Sequence, residues 1–412
     1  MSENTQYDKN AGSGMFERHY VKTIVDRISE TNNPLMQVVV GPRQTGKSTM
    51  LGQALAKIDT EQFFISADDA IVPSEEWLQV EWQQARNATR SGSRPVVLVV
   101  DEIQKVPHWS LVVKSLYDAD RRNDMPVRVV LSGSSSLLLH KGLEDSLMGR
   151  FELIHSPHWS YSECFQAFGF SFDDYLYYGG YPGAARFASD DARWISYIRE
   201  AIIEPTISQD VLALEDIRKP ALMRALFRLG AMYSAQELSY TKMLGQLQDA
   251  GNTVTVAHYL DLLDKAGMLC GIQKYDAKEV RRRKSSPRFM VYDTSLMTAS
   301  SGIEKSRYLG EPDLRGHLVE SAVGARLLAR ASEEGLGVYW WREGTKEVDF
   351  VVSKGFDSLS AIEVKSGKEK GQSGMADFLS AHPSAKRIVV GGAAAGACGV
   401  EEFLKDEVEL FY

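Results

Sequence analysis

The sequence predicts a multidomain α/β protein, and three observations carry that prediction. Its 412 residues exceed what one ordinary core holds and suit about two to four domains. Between Phe16 and about Pro157, short β-branched runs alternate with helical stretches, the pattern of a parallel sheet buried on both faces. One of those runs leads through the glycine-bearing loop Gly41–Ser48 into a helical stretch, as strand–loop–helix units do.

In chain order, residues 1–15 are polar and are expected to form a disordered tail. The α/β core spans 16–159. Its candidate strands are Met36–Val40, Phe63–Ile65, Val96–Val100 and Val127–Leu131, with a helix over Thr49–Lys57. Residues 160–228 read as a helical, aromatic-rich region in which Pro182–Gly183 after Tyr175–Tyr181 marks a turn. In 229–300, Ser234 and Glu237 form a capping-box signature ahead of Leu238, Leu244 and Leu247. A second helix carries Val256, Tyr259, Leu260 and Leu263 and stops at Gly267. Strands near Met268–Gln273 and Arg288–Tyr292 then flank a basic turn, the element order of a winged helix. The last segment, 301–412, opens with a helix and continues through strands at Val338–Trp341, Val348–Val352, Ala361–Val364 and Arg387–Val390.

Composition narrows the function classes. The longest apolar runs, such as Val96–Val100, fall far short of the roughly 18 residues of a membrane span. The N-terminus lacks a basic region followed by an apolar run, so no secretory signal is read. Cys164, Cys270 and Cys398 lie too far apart for a zinc spacing or disulfide framework. Reduced thiols in a cytoplasmic protein, with no membrane partner, are the expectation. A net charge of −8 argues against a surface coated in basic residues but leaves room for a local basic patch.

Gly41, Pro42, Arg43, Gln44, Thr45, Gly46, Lys47 and Ser48 match the phosphate-binding loop pattern without a gap, and Thr49 follows at the helix start. Glycines let backbone approach phosphates, and N–H groups at a helix start point at the anion. Lys47 is expected to reach the β- and γ-phosphates of ATP, and the Ser48 hydroxyl to bind Mg²⁺. The apolar strand Val96–Val100 ends in Asp101 and Glu102. An acid there is costly without a partner, so Asp101 is a candidate Mg²⁺ holder and Glu102 a candidate to polarise the attacking water. A nucleotide switch that does not hydrolyse stays open. Ser132, at the end of Val127–Leu131, is either a γ-phosphate sensor or an ordinary turn serine. Arg150 is either an arginine finger offered to a neighbouring subunit or a solvated or salt-bridged arginine.

These motifs, with Asp-Glu-Ile-Gln at 101–104, Leu-Ser-Gly-Ser-Ser at 131–135 and Met-Gly-Arg at 148–150, resemble a prokaryotic family of AAA+ ATPases. In that family the ATPase module precedes a helical region, a winged helix and a further domain. The resemblance runs from about Phe16 onward. It implies a P-loop AAA+ parallel-sheet core, Mg-ATP as ligand and assembly of a homo-oligomeric ring.

Arg281, Arg282, Arg283 and Lys284 fill the basic turn, where a wing would touch DNA or RNA phosphates. The recognition helix would be roughly 255–266. Asp261 and Asp264 lie on it and would repel phosphates if they faced them. A protein-interaction module is the competing reading.

The last segment holds a second charged constellation. With a strand period of two, Glu363 and Lys365 share one face while Ile362 and Val364 take the other. Asp349 lies on the preceding strand of a hairpin. Two carboxylates suit Mg²⁺ or Mn²⁺, and Lys365 can orient water or stabilise phosphate charge. Asp349 followed by Glu363-x-Lys365 resembles the PD-(D/E)XK nuclease pattern, with Val348 where proline is usual. That resemblance implies a restriction-endonuclease-like α/β domain and gives Glu320 the place of the extra helical acid. A degenerate nuclease fold that only holds DNA or a partner, and plain surface ion pairs, remain alternatives. Pro157 breaks the spacing of His155 and His158, and Trp340 and Trp341 read as core. Three functions follow: an ATPase that also cleaves or processes DNA, an ATP-gated DNA- or protein-binding switch, and a signalling or chaperone-like ATPase acting on protein.

Overall fold

The computed structural model describes residues 15–31, 35–91, 94–133, 146–211, 217, 219–247, 252–276, 286–355, 358–365, 372–392 and 396–412. All but one residue of the expected tail, and Arg281, Arg282, Arg283 and Lys284 of the basic turn, lie outside the described residues. The chain divides into two compact units, Met1–Ser156 and Pro157–Tyr412.

The first unit is built on β1 (Met36–Val40), β2 (Gln62–Ser66), β3 (Val96–Asp101), β4 (Val127–Gly133) and β5 (Phe151–His155). These pair in the order β2-β3-β4-β1-β5, every pair parallel. Its helices are α1 (Tyr20–Ile28), α2 (Lys47–Leu55), α3 (Glu75–Ser91) and α4 (Trp109–Arg122). Alternation along each strand explains the unbroken apolar runs. Val96, Leu98 and Val100 pack with Trp82, Trp109 and Val113 on one face, under α3 and α4. Val97 and Val99 pack with Ile24, Leu51 and Leu55 on the other, under α1 and α2. The edge strand β5 was not expected. Only Ile154 within it is fully buried, so it lacks the apolar run that marks its neighbours.

In the second unit, helices Tyr161–Phe168 and Phe172–Tyr178 both start on reciprocal capping boxes, Ser160 with Glu163 and Ser171 with Asp174. The turn comes at Gly179 and Gly180, ahead of Pro182–Gly183, where a 3₁₀ helix, Pro182–Phe187, begins instead. Gly179 has a φ of 65°, and a Cβ there would sit 2.0 Å from the Asp293 carboxylate, which accepts the Gly180 N–H at 2.7 Å.

Helices Tyr240–Gln246 and Thr253–Lys265 then lead to β6 (Leu269–Lys274) and β7 (Arg288–Val291), in the element order read from the sequence. The expected cap at Ser234 is overturned: Ser239 caps the first helix, accepting from the Lys242 N–H. Ala235, which a cap at Ser234 would make the first helical residue, has a φ of 63°, outside the right-handed helical region. Buried Ser234 instead hydrogen-bonds with Val291 and Ser321, and Glu237 pairs with Arg342.

β8 (Gly337–Glu343), β9 (Lys346–Lys354), β10 (Ser358–Lys365), β11 (Gln372–Ser373) and β12 (Lys386–Gly391) complete the second sheet. Its order is β12-β10-β9-β8-β6-β7, with β11 beside β9. β6 pairs antiparallel with β7 and parallel with β8. A single sheet therefore runs across residue 300, where the sequence pattern places a boundary, and the three segments after 156 form one compact unit. Helix Pro312–Glu334 buries Leu318, Val319, Val323 and Leu327. Among the described residues, no helix is long and apolar enough to cross a membrane.

Candidate active site

The loop that follows β1 needs its glycines for space and for backbone angle. A Cβ on Gly41 would lie 2.1 Å from the Ser156 carbonyl oxygen. Gln44 and Gly46 take positive φ, 60° and 85°, which turns the loop into the first turn of α2. Ser156 is itself fixed, since the buried Arg18 guanidinium donates to its Oγ at 2.8 Å. The Thr45 hydroxyl donates to the Pro42 carbonyl at 3.1 Å. Lys47 folds over the loop and donates to the carbonyls of Gly41 (3.1 Å) and Pro42 (2.6 Å).

Because β4 lies between β1 and β3, the ends of all three strands meet beside this loop. Asp101, the last residue of β3, is buried. One carboxylate oxygen accepts from the Ser48 hydroxyl at 2.5 Å, and the other accepts from the Ser132 hydroxyl and, at 3.1 Å, from the Glu102 N–H. Hydroxyl and carboxylate thus meet at one point, the oxygen donor set a hard divalent cation takes. Three of the sequence candidates, Ser48, Asp101 and Ser132, are brought together here. Glu102 turns away from the strand at a φ of 52°, and the Gln104 amide donates to its carboxylate at 2.6 Å.

Arg150 is held within its own chain. Its Nε and Nη2 donate to the two Asp118 oxygens at 2.7 and 3.0 Å, a bidentate pair. The Arg150 hydrogen bond holds the Asp118 carboxyl below its ordinary value, and the same bond raises the guanidinium.

In the second unit the candidate metal set meets a different partner. The Arg288 side chain from β7, 3% exposed, lies among the acids. Its Nη1 is 3.3 Å from Glu320 Oε1, 3.6 Å from Asp349 Oδ1 and 3.2 Å from the Asp349 carbonyl, and its Nη2 is 3.4 Å from Glu347 Oε2. Asp349 Oδ2 accepts the Val364 N–H at 2.8 Å. Lys365 pairs with Glu363 at 2.6 Å. Among the described residues, no group of three or more His, Cys, Asp or Glu side chains is arranged to hold a metal. The Arg288 guanidinium stands among Glu320, Glu347 and Asp349, while Glu363 pairs with Lys365, so Glu320, Asp349 and Glu363 do not form such a group. Burial pushes the Asp349 carboxyl up, against the pull of Arg288.

Comparison with known proteins agrees with the geometry of the first unit. Residues 33–165 match an AAA domain. Two domains of unknown function match further along the chain, at 169–307 and at 315–397. An uncharacterized protein of Haemophilus influenzae is 21% identical over 351 residues, 80% of this chain and 82% of that one. An uncharacterized protein of Mycobacterium tuberculosis is 29% identical over 319 residues, 76% of this chain and 67% of its own length. Among solved structures, the RuvB Holliday junction branch migration motor of Thermotoga maritima matches at a TM-score of 0.32 and 14% identity, covering 62% of this chain and 90% of that one. That score is too low to carry weight, and the fold is read from strand order and loop geometry.

Sequence reasoning passes over three partners within or beside these sites. Gln104 ends the Asp-Glu-Ile-Gln motif of the AAA domain without an expected role, and neither Asp118 nor Arg288 stands out in sequence as a partner. Each is recognisable only by what it touches. Gln104→Ala is expected to lower ATP turnover by about 10- to 100-fold with little change in KM, the size of one hydrogen bond to a charged group. A kcat equal to wild type, measured by phosphate release, would remove Gln104 from the site.

Proposed function

We propose that the chain is a Mg-dependent ATPase whose nucleotide cycle is coupled to nucleic-acid binding. The observation that carries this reading is the Asp101 carboxylate shared by Ser48 and Ser132 beside a complete phosphate-binding loop. Backbone from Gly41 to Thr49 offers N–H groups to the phosphates. Lys47 exchanges its two carbonyl partners for phosphate oxygens. Ser48 and Asp101 are the residues that would hold Mg²⁺, which when bound neutralises phosphate charge. Glu102, steadied by Gln104, orients the attacking water, and Ser132 senses the γ-phosphate. Ring assembly belongs to the same reading: Arg150 serves a neighbouring copy, and Asp118 competes for it.

Contact with nucleic acid rests on Arg281, Arg282, Arg283 and Lys284, which lie in sequence between β6 and β7. One objection to it weakens in the structure. Asp264 turns inward and accepts a hydrogen bond from the half-buried Tyr292 hydroxyl at 2.5 Å, and Asp261 pairs with Lys265 at 2.9 Å. A winged helix over 229–300 and a nuclease-like fold over 301–412 remain part of the proposal. The buried Arg288 favours the non-cleaving form of that fold and so an ATP-gated binding switch.

The test is phosphate release by the full chain in Mg²⁺ and in EDTA, with linear, single-stranded and branched DNA. Turnover that needs Mg²⁺ and rises with DNA is expected. No turnover under any condition would sink the ATPase. Turnover that ignores DNA but responds to an unfolded protein would move the substrate class to protein. Neutralising the four basic residues is expected to flatten the salt dependence of DNA binding, by about 0.9 in log–log slope for each phosphate that is no longer neutralised.

A further inference from the structure

We infer that Arg288 is the resident cation of the C-terminal carboxylate cluster and fills the position a divalent metal would need. The site is then a charged joint between two parts of the second unit and not a cleavage centre.

Four carboxylates, Glu237, Glu320, Glu347 and Asp349, surround two guanidiniums, Arg288 and Arg342. Arg342 Nη2 lies 2.5 Å from Glu347, its Nε 3.1 Å from the same oxygen, and its Nη1 pairs with Glu237. The Trp340 ring lies against both, 5.2 Å from Arg288 Cζ and 5.4 Å from Arg342 Cζ. A guanidinium is flat and presents several N–H groups in a fixed fork, so one such group can serve three acids at once. The spacing fits that shape. The oxygens of Glu320, Glu347 and Asp349 stand 3.3 to 3.6 Å from its nitrogens, within ion-pair reach of one guanidinium.

A metal entering beside this group would meet a fixed positive charge at close range in a poorly screened interior. The other polar atoms of the motif are also engaged. Asp349 Oδ2 accepts from backbone, and Lys365 is bonded to Glu363. The donor of the cation is what gives the arrangement a purpose. Arg288 belongs to β7, which pairs with β6, and Glu237 forms an isolated bridge to it. Charge therefore ties β7 to β8, β9 and helix Pro312–Glu334, so anything that shifts β7 pulls on the acids.

The test is a Mn²⁺ titration of the nucleotide-free full chain, read by the electron paramagnetic resonance signal of free aquated Mn²⁺. All proteins carry Ser48→Ala, which removes the other candidate cation site from the count. The parent and its Asp349→Asn variant are expected to bind Mn²⁺ identically. Arg288→Met is expected to gain one site at least tenfold tighter than anything in the parent, and Arg288→Met/Asp349→Asn to lose it again. A parent site abolished by Asp349→Asn would overturn the inference, and so would a folded Arg288→Met protein that gains none. If Arg288→Met does not fold, the parent and Asp349→Asn pair decides alone.

Discussion

Lys47→Ala is expected to lower ATP turnover by about 10²–10³-fold, the scale for removing one preorganised group that stabilises developing charge. Its ammonium is already at the loop, 2.6 Å from the Pro42 carbonyl, so little reorganisation separates the empty site from phosphate contact. The same change removes a ground-state contact and should weaken nucleotide binding as well. Glu102→Gln is expected to behave differently. It keeps the shape of the side chain and its place beside Gln104, so nucleotide stays bound while turnover drops by about 10²–10⁴-fold, the usual share of a general base. Phosphate release together with equilibrium binding of a fluorescent ATP analogue separates the two outcomes. Normal turnover in both variants would refute the proposed function outright.

Asp120→Ala is expected to destabilise the first unit by about 3 kcal/mol, the low end for breaking a buried ion pair from one side. The Asp120 carboxylate, 4% exposed, is shared by two groups of α3: the Trp82 indole N–H donates to it at 2.7 Å and Arg86 Nε at 2.6 Å. Arg86 also donates to the Leu116 carbonyl of α4 at 2.9 Å. Truncation strands a fully buried indole N–H and a largely buried guanidinium under the sheet face that carries Val96, Leu98 and Val100. Asp120→Asn keeps one acceptor for the indole and should lose roughly half as much. Urea denaturation followed by far-ultraviolet circular dichroism reads the difference. Equal midpoints for wild type and Asp120→Ala would mean that this carboxylate contributes nothing net.

Much of the first unit was legible because its signals are local. The Gly–Lys–Ser spacing after Val40, and a carboxylate pair closing an apolar run at Asp101, need no knowledge of the rest of the chain. What stayed hidden depends on distant partners. β5 has one fully buried residue and makes its place by pairing with β1. Ser234 and Ser239 both precede the same helix, and only the backbone at Ala235 and the claim of Arg342 on Glu237 decide between them. Asp349, Glu363, Lys365 and Glu320 were each visible as candidates, yet Arg288, which pairs with two of these acids, Glu320 and Asp349, and with Glu347, comes from an earlier strand. The basic turn at 281–284 was equally visible in sequence and lies outside the described residues.

The pairing of β6 with β8 bears on how the chain can be cut. A fragment starting near residue 301 would look like a natural C-terminal domain by sequence, but it would expose the edge of β8 that Gln273 and Lys274 cover, an open template for self-association. It would also lose Glu237 and Arg288 together, leaving Glu320 and Asp349 without the guanidinium between them. Metal uptake or nuclease action by such a fragment would describe an acidic pocket created by the cut and not the intact protein.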